Sequence, residues 1–370
     1  VSVTYDVKLL SPAGLSLSPL IPNASIAWTV AEMAVGGMML LIPGGMIDSD
    51  WVQPEGRIEL WRKVDGGWPM LVGGQWLIKG RTIFGNAENI IIEAQTYNSI
   101  LKDRIIDYDA STETVTNAYS EKSGAADDVI KAFVRENIGA TATDTARAIT
   151  GLTVTADVGL APTVKKQASR KNLLATLQDV AMDARQQGTY LTFGWVFDGN
   201  LYTFDTRTIA WGANRGSTSG NKLIISRDRG NLLEPSITED YSEEVTLAKV
   251  GGSGTGSNRI IGSATNSDRI TASPFSRKEY FASGYNTDDA TTLNAEANAR
   301  LQEFRAKRVF SGRLAETEQM RYAVHVGFGD LVVAEYAGKT FDCHLDTVSG
   351  QVVGGIEVKL DMRLRGEEVI

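Results

Sequence analysis

Apolar and polar positions alternate with a period of two over much of the chain, which is the signature of β-strands with one buried face. The clearest run is 57–108. Ile58, Leu60 and Arg62 fall on one face of a predicted strand, and Glu59, Trp61 and Lys63 on the other. Asp65-Gly66-Gly67 supplies a hairpin turn, a second strand centres on Trp76-Leu77-Ile78, and Phe84-Gly85-Asn86 leads into Asn89–Gln95. Ile90, Ile91 and Ile92 are consecutive, which predicts burial on both faces. Upstream, strands are expected at Val3–Leu10, Ser25–Val30 and Met38–Ile42, separated by glycine- and proline-rich turns.

The period then changes. Ser123 as N-cap, Asp127 and Asp128 in the first turn, and Ala126, Ile130, Phe133 and Val134 on one face predict a helix that stops at Gly139. After a strand at Leu152–Val158, a second helix is expected from a Ser169 cap to Gly188, followed by a hairpin of Thr189–Phe197 and Asn200–Phe204 around Asp198-Gly199. Strands return at Leu223–Ile225 and Glu244–Val250, with an exposed polar hairpin at Arg259–Thr271. A third helix opens at Thr287, Asp288 and Asp289, with an apolar face of Ala290, Leu293, Ala297, Leu301 and Phe304. The chain closes in strands at Met320–Val326, Leu331–Tyr336, Thr340–Thr347 and Gly355–Leu364. The pattern predicts a mainly β, α+β protein with four spans: 1–108, 109–221, 222–310 and 311–370.

Composition narrows the function classes. The 370 residues carry a formal charge of −8, which gives no general affinity for nucleic acid or anionic membrane. The longest apolar run, Met38–Pro43, is too short to span a bilayer, so no stable membrane association is expected. The N-terminus lacks a basic segment followed by an apolar one, so the chain is expected to be made and kept in the cytoplasm, or assembled there into something larger. One cysteine and two histidines leave little for thiol, metal or imidazole chemistry. Gly252-Ser253-Gly254-Thr255-Gly256 has the glycines of a phosphate loop but neither its Lys-Ser/Thr nor a following helical period. Cys343 and His344 are neighbours on a predicted strand and therefore point to opposite faces. Carboxylates cluster at Asp107 and Asp109, Glu239 and Asp240, and Glu243 and Glu244, and a solvated acidic face is their simplest reading. The tryptophans, Trp28, Trp51, Trp61, Trp68, Trp76, Trp195 and Trp211, read as core or interface residues more readily than as a sugar-binding groove.

The order of pieces carries a resemblance. Leu10–Gly14 (LSPAG), Ile58–Arg62 (IELWR), Leu101–Tyr108 (LKDRIIDY), the Lys171–Gly188 helix, Val250–Arg259 (VGGSGTGSNR), Arg277–Asp289 (RKEYFASGYNTDD) and Gly327–Gly338 (GFGDLVVAEYAG) recur in the same order and spacing. In these the chain resembles the tail-tip or baseplate hub proteins of tailed bacteriophages. The resemblance implies two tube-like β-barrel domains with an intervening α/β region: an N-terminal barrel at 1–108, a middle domain at 109–221, connecting strands and helix at 222–310 and a C-terminal barrel at 311–370. It implies a homotrimer at the virion's tail tip, with pseudo-sixfold docking on a distal tail protein or tail tube ring. Further implied partners are the tape measure protein C-terminus, a central fibre, spike or receptor-binding protein, and phage DNA in transit. Relatives often continue into a fibre or hydrolase, whereas this sequence stops at Ile370, so those activities are expected on other proteins unless the sequence is a truncation. The expectation is a structural protein with no catalytic, metal or cofactor-binding residues and with Glu59, Trp61 and Lys63 as a candidate ring interface. The alternatives are a cell-wall or polysaccharide hydrolase and a glycan-binding module.

Overall fold

The computed structural model describes residues 2–22, 24–65, 67–108, 119–198, 201–284, 287 and 289–369. Gly66, Asp109, Gly199, Asn200 and Asp288, which figure in the sequence reading, lie outside them. Contacts divide the chain into two units. The first is Val1–Arg185, Thr189–Pro235 and Gly312–Arg365; the second is Gln186–Gly188, Ser236–Ser311 and Gly366–Ile370.

In the first unit, six N-terminal strands form where the period-two pattern places them: β1 (Val3–Leu10), β2 (Ser25–Ala31), β3 (Gly37–Ile42), β4 (Arg57–Val64), β5 (Met70–Phe84) and β6 (Asn89–Thr96). Alternate residues are buried, including Tyr5, Val7 and Leu9 on β1, Ile26, Trp28 and Val30 on β2, and Ile58 and Leu60 on β4. Ile91 is half-exposed between buried Ile90 and Ile92, so β6 has one buried face where the triple isoleucine predicted two. The six strands pair in the order β2-β3-β6-β5-β4-β1. They do not close by themselves. Two long strands from the other end of the chain, Lys339–Val353 and Ile356–Val369, form a hairpin whose arms pair with β2 and with β1, completing a circuit of eight strands. The same sheet continues outward through Leu331–Tyr336 to Ile224–Ser226, and through Lys307–Leu314 to Leu232–Asp240. Among the described residues those two outer ends share no ladder.

The seam between β1 and Ile356–Val369 is the shortest, with a single register pair, Thr4 with Ile356. Beyond it β1 turns to its own loop, where Val7 and Ile21 exchange backbone hydrogen bonds and Leu9 N donates to Ser18 Oγ. β5 carries a bulge opposite β4: Glu59 faces Gln75 and Trp61 faces Leu71, so Val72-Gly73-Gly74 stand against the single Leu60. Gly73 and Gly74 both have positive φ, which only glycine adopts without strain.

The α/β part of this unit follows β6 through α1 (Asn98–Lys102), a helical turn in a segment without helical period. α2 (Ala126–Ile138) begins without a side-chain cap, because Ser123 belongs to the preceding strand, Ser120–Ala125. Its first-turn acids are used otherwise: Asp127 accepts from the backbone of Leu160 and Ala161, and Asp128 from that of Val158. α3 (Leu173–Gln186) starts four residues after the expected Ser169 cap; Asn172 Oδ1 accepts from Ala175 N, while Ser169 Oγ bonds to the Tyr108 hydroxyl. The predicted hairpin appears as Thr192–Asp198 and Leu201–Arg207, and the expected strand at 152–158 shortens to Leu152–Val154, parallel to the second arm. Phe133, Leu177, Val180, Phe193 and Phe204 belong to one core with Leu77 of β5 and Tyr97, which follows β6.

Met320–Val326 is not a strand. Ala323 has a φ of 62°, and the carbonyl of Arg321 accepts from His325, so the segment is a turn. In the second unit the strand predicted from Glu244 begins at Leu247 and pairs antiparallel with Ile261–Thr265 and parallel with Glu279–Ser283. The predicted polar hairpin at 259–271 is therefore one of these strands plus α4 (Ser267–Ala272), capped by Asn266. α5 (Ala290–Glu303), capped by Asp289, lays Leu293, Ala297 and Leu301 against Ala248 and Val250.

Candidate functional site

Arg62 shares the phase of Ile58 and Leu60, so β4 carries it inward, and its side chain is wholly buried. A lone buried guanidinium would be prohibitive; two carboxylates make it tenable. Nε donates to Glu357 Oε2 at 3.0 Å, Nη2 to Glu316 Oε1 at 2.9 Å, and Nη1 to the carbonyl of Tyr322. The Tyr5 hydroxyl donates to the same Glu357 at 2.6 Å. Burial first, then the Glu357 carboxylate, pushes the Tyr5 phenol up, keeping it a donor. The cluster joins β1, β4, the turn at 316–322 and the Ile356–Val369 strand, beside the seam where the ladder is thinnest. It works as a clamp where backbone pairing runs out.

A second, part-buried polar group lies where α3 meets the loop after β2. Glu32 Oε1 accepts from Arg185 Nη2 at 2.9 Å and from the Tyr190 hydroxyl. The Tyr190 ring stacks on His344, with centroids 3.7 Å apart and 4° between planes. Burial pushes the His344 imidazole down to about 4, with Glu32 opposing the shift, so the ring is neutral at pH 7.

The candidate ring interface sits on the opposite phase of β4. Glu59, Trp61 and Lys63 are each half-exposed. Glu59 accepts from Gln75 Nε2 at 2.8 Å and from Trp61 Nε1 at 3.2 Å, which ties the indole to the side chain two residues back. In register they stand beside Lys8, Asp6 and Thr4 of β1, and Thr4 also faces Ile356, which is 62% exposed. The strip therefore mixes both charges with apolar surface.

The other sequence candidates are placed as follows. Cys343 is fully buried, its thiol pushed up by burial, and donates to the Phe341 carbonyl at 3.7 Å; His344 faces Tyr190 instead. His325 Nδ1 accepts from the Arg321 backbone. Asp107 is bound by Arg147 and Arg170, Glu239 by Arg308, and Glu244 by Arg269 and Lys278. The hydrogen bond from Arg269 leads the causes that lower the Glu244 carboxyl. The 252–256 glycines close a turn onto a 3-10 turn at Gly256–Asn258 and then a strand, the context of a structural corner. Trp28 and Trp76 are core, Trp51, Trp61, Trp195 and Trp211 half-buried, and Trp68 is 91% exposed. Among the described residues no three acidic, histidine or cysteine side chains stand as a metal site, and no helix is long and apolar enough to cross a membrane.

The family of Siphovirus ReqiPepy6 Gp37-like proteins matches residues 25–355. The chain belongs to this family. Its fold is shared with a prophage MuSo2 43 kDa tail protein from Shewanella oneidensis (TM-score 0.52, 12% identity, 99% of this chain and 98% of that one). It is shared also with prophage tail protein gp18 from Listeria monocytogenes (0.52, 13% identity, 97% and 94%) and a tail protein from Neisseria meningitidis (0.51, 10% identity, 98% and 96%). No curated protein matches the sequence. The resemblance to tailed-phage tail-tip and baseplate proteins, and the mainly β α+β class, are thus borne out. The sequence reading missed the Arg62 clamp, although an arginine on the apolar phase of a strand was its visible sign.

Proposed function

We propose that this protein is a structural component of a bacteriophage tail, acting as a trimeric hub at its distal end. One observation carries the reading: nearly the whole chain shares its fold with prophage tail proteins of about the same length. Two long strands that serve both the eight-stranded circuit and the sheet beyond it suit a subunit that presents two tube-like barrels. Three such subunits offer six barrels, which matches a sixfold tail tube or distal tail ring on one side and a threefold fibre, spike or receptor-binding protein on the other. The tape measure protein C-terminus meets the ring from within, and DNA crosses in transit. Glu59, Trp61 and Lys63 form the ring contact, with the indole as its apolar anchor.

The test is assembly. With Trp61→Ala combined with Lys63→Glu, the chain folds normally by circular dichroism, and electron micrographs of phage lysates show tails lacking their tips. Normal infectious tails from that variant count against the interface; hydrolysis of purified peptidoglycan by the unaltered chain would overturn the structural role.

A further inference from the structure

Two sets of apolar side chains stand in water at the same end of the eight-stranded circuit. The first borders a groove of about 600 Å³ between the turn that joins β4 to β5 and the turn at 320–326. There Trp68 is 91% exposed, and Met70 and Val324 are roughly half exposed. The second set is the tip of the hairpin made by Lys339–Val353 and Ile356–Val369, where Val353, Ile356 and Val358 are 59–62% exposed. Ile356 faces Thr4 and Thr4 faces Lys63, which places both sets by the same ends of β1 and β4. We propose that copies of this chain meet through these two surfaces, the hairpin tip of one copy seated in the groove of the next. This rests on the trimeric reading above and names the surface that reading needs.

Three observations support a second copy as the occupant. A closed ring of three uses a heterologous contact, in which each chain offers two different patches, and a groove beside a convex tip is such a pair. Both are held in place before any contact. Gly354 and Gly355, with φ of 57° and 81°, make the two-residue turn of a tight hairpin, and Gly355 N to Ala24 O and Tyr5 N to Gly355 O, each 3.0 Å, pin it. The 320–326 turn is tied by Arg62, which donates to the Tyr322 carbonyl, and by Arg321 N, which donates to His325 Nδ1 at 3.0 Å. Surfaces set in advance cost little ordering on association.

Second, the groove's charges are occupied within the chain. Arg62 is bound by Glu316 and Glu357, Arg321 stands 3.6 Å from Glu316, and Asp65 Oδ1 accepts from Ser2 N at 2.8 Å. What faces a partner is mainly apolar, the composition of contacts between like subunits. Third, the area fits. One copy's groove residues against the next copy's tip remove roughly 700 Å² of largely apolar surface from water, a little under half of the ~1,600 Å² of a standard stable contact, and a polar rim supplies the rest.

The experiment follows the mass of the purified 370-residue chain by sedimentation velocity over a wide range of concentration, for the parent and for Trp68→Ser, Val324→Glu and Val358→Glu. The parent is expected to sediment as three chains. Each variant should raise the concentration of half-dissociation at least about tenfold, as the loss or charging of a buried anchor implies. All three side chains are exposed in the single chain and lie on separate segments, so circular dichroism should match the parent, and a folding defect in one variant leaves two to decide. Tryptophan emission gives a second readout: it shifts to the blue as the parent assembles and Trp68 leaves water, and the shift is smaller in Trp68→Phe. Variants that stay trimeric at the parent's concentrations overturn the proposal and leave the trimeric hub standing. A parent that is monomeric at every concentration overturns both. Variants that keep the trimer but no longer join a tail ring assign the surface to another tail protein, and equally overturn the proposal.

Discussion

Arg62 shows how one side chain decides the closure of a sheet. Its removal takes the shared counter-charge from the part-buried Glu316 and Glu357 and leaves only Arg321, 3.6 Å from Glu316. Arg62→Leu is therefore expected to destabilise the chain by about 3–5 kcal/mol in urea titration. Adding Glu316→Gln and Glu357→Gln should restore a large part of that loss, because the carboxylates are then neutral. No recovery in the triple variant would mean that the arginine acts through packing rather than charge.

His344 makes a pH-dependent contribution. Burial holds its folded pKa near 4, below the ordinary value of 6.5. Between those values the unfolded chain binds a proton that the folded chain refuses, so stability falls as pH drops from about 6.5 to about 4. The loss is on the order of 2 kcal/mol. His344→Gln should flatten this part of the stability profile, and melting temperatures at closely spaced pH values would show it. A slope identical to that of the parent would remove His344 from the account.

At the scale of elements, the β5 bulge and α5 are the features most open to single substitutions. Gly74→Ala places a Cβ into the Phe197 ring at a positive φ and should cost about 2 kcal/mol in chemical denaturation. In the second unit, Leu293→Ala should cost about 2–5 kcal/mol and Asp289→Ala about 1 kcal/mol, because one opens the core and the other only uncaps the helix. Hydrogen exchange in Leu247–Gly251 should rise far more for the first than for the second.

Which elements could be read in the sequence follows from the range of the forces that make them. β1 was legible to the residue, since alternation is local. The starts of α2 and α3 were misread because tertiary contacts claim the expected caps: Ser123 is taken into the Ser120–Ala125 strand, and α2 begins with no side-chain cap. Ser169 was drawn to Tyr108, leaving Asn172 to cap α3. Met320–Val326 alternates as a strand would, but a positive φ at Ala323 turns it. The clamp was half-legible: Arg62 stood on the wrong phase for a charge, while its partners are 254 and 295 residues away. The groove was not legible at all, since the turn between β4 and β5 and the turn at 320–326 meet there only in the fold.

For the whole molecule, the family and fold place the chain among proteins of tailed phages, and the proposed hub follows if it assembles by threes. In the proposed hub, the half-exposed strip of Glu59, Trp61 and Lys63 is the surface that meets the ring. The most direct measurement is the mass of the purified 370-residue chain in solution, alone and mixed with a tail ring. The account predicts a species of three chains, each of 40.0 kDa, that docks on the ring as one body. A monomer that stays a monomer and leaves the ring unoccupied would contradict it.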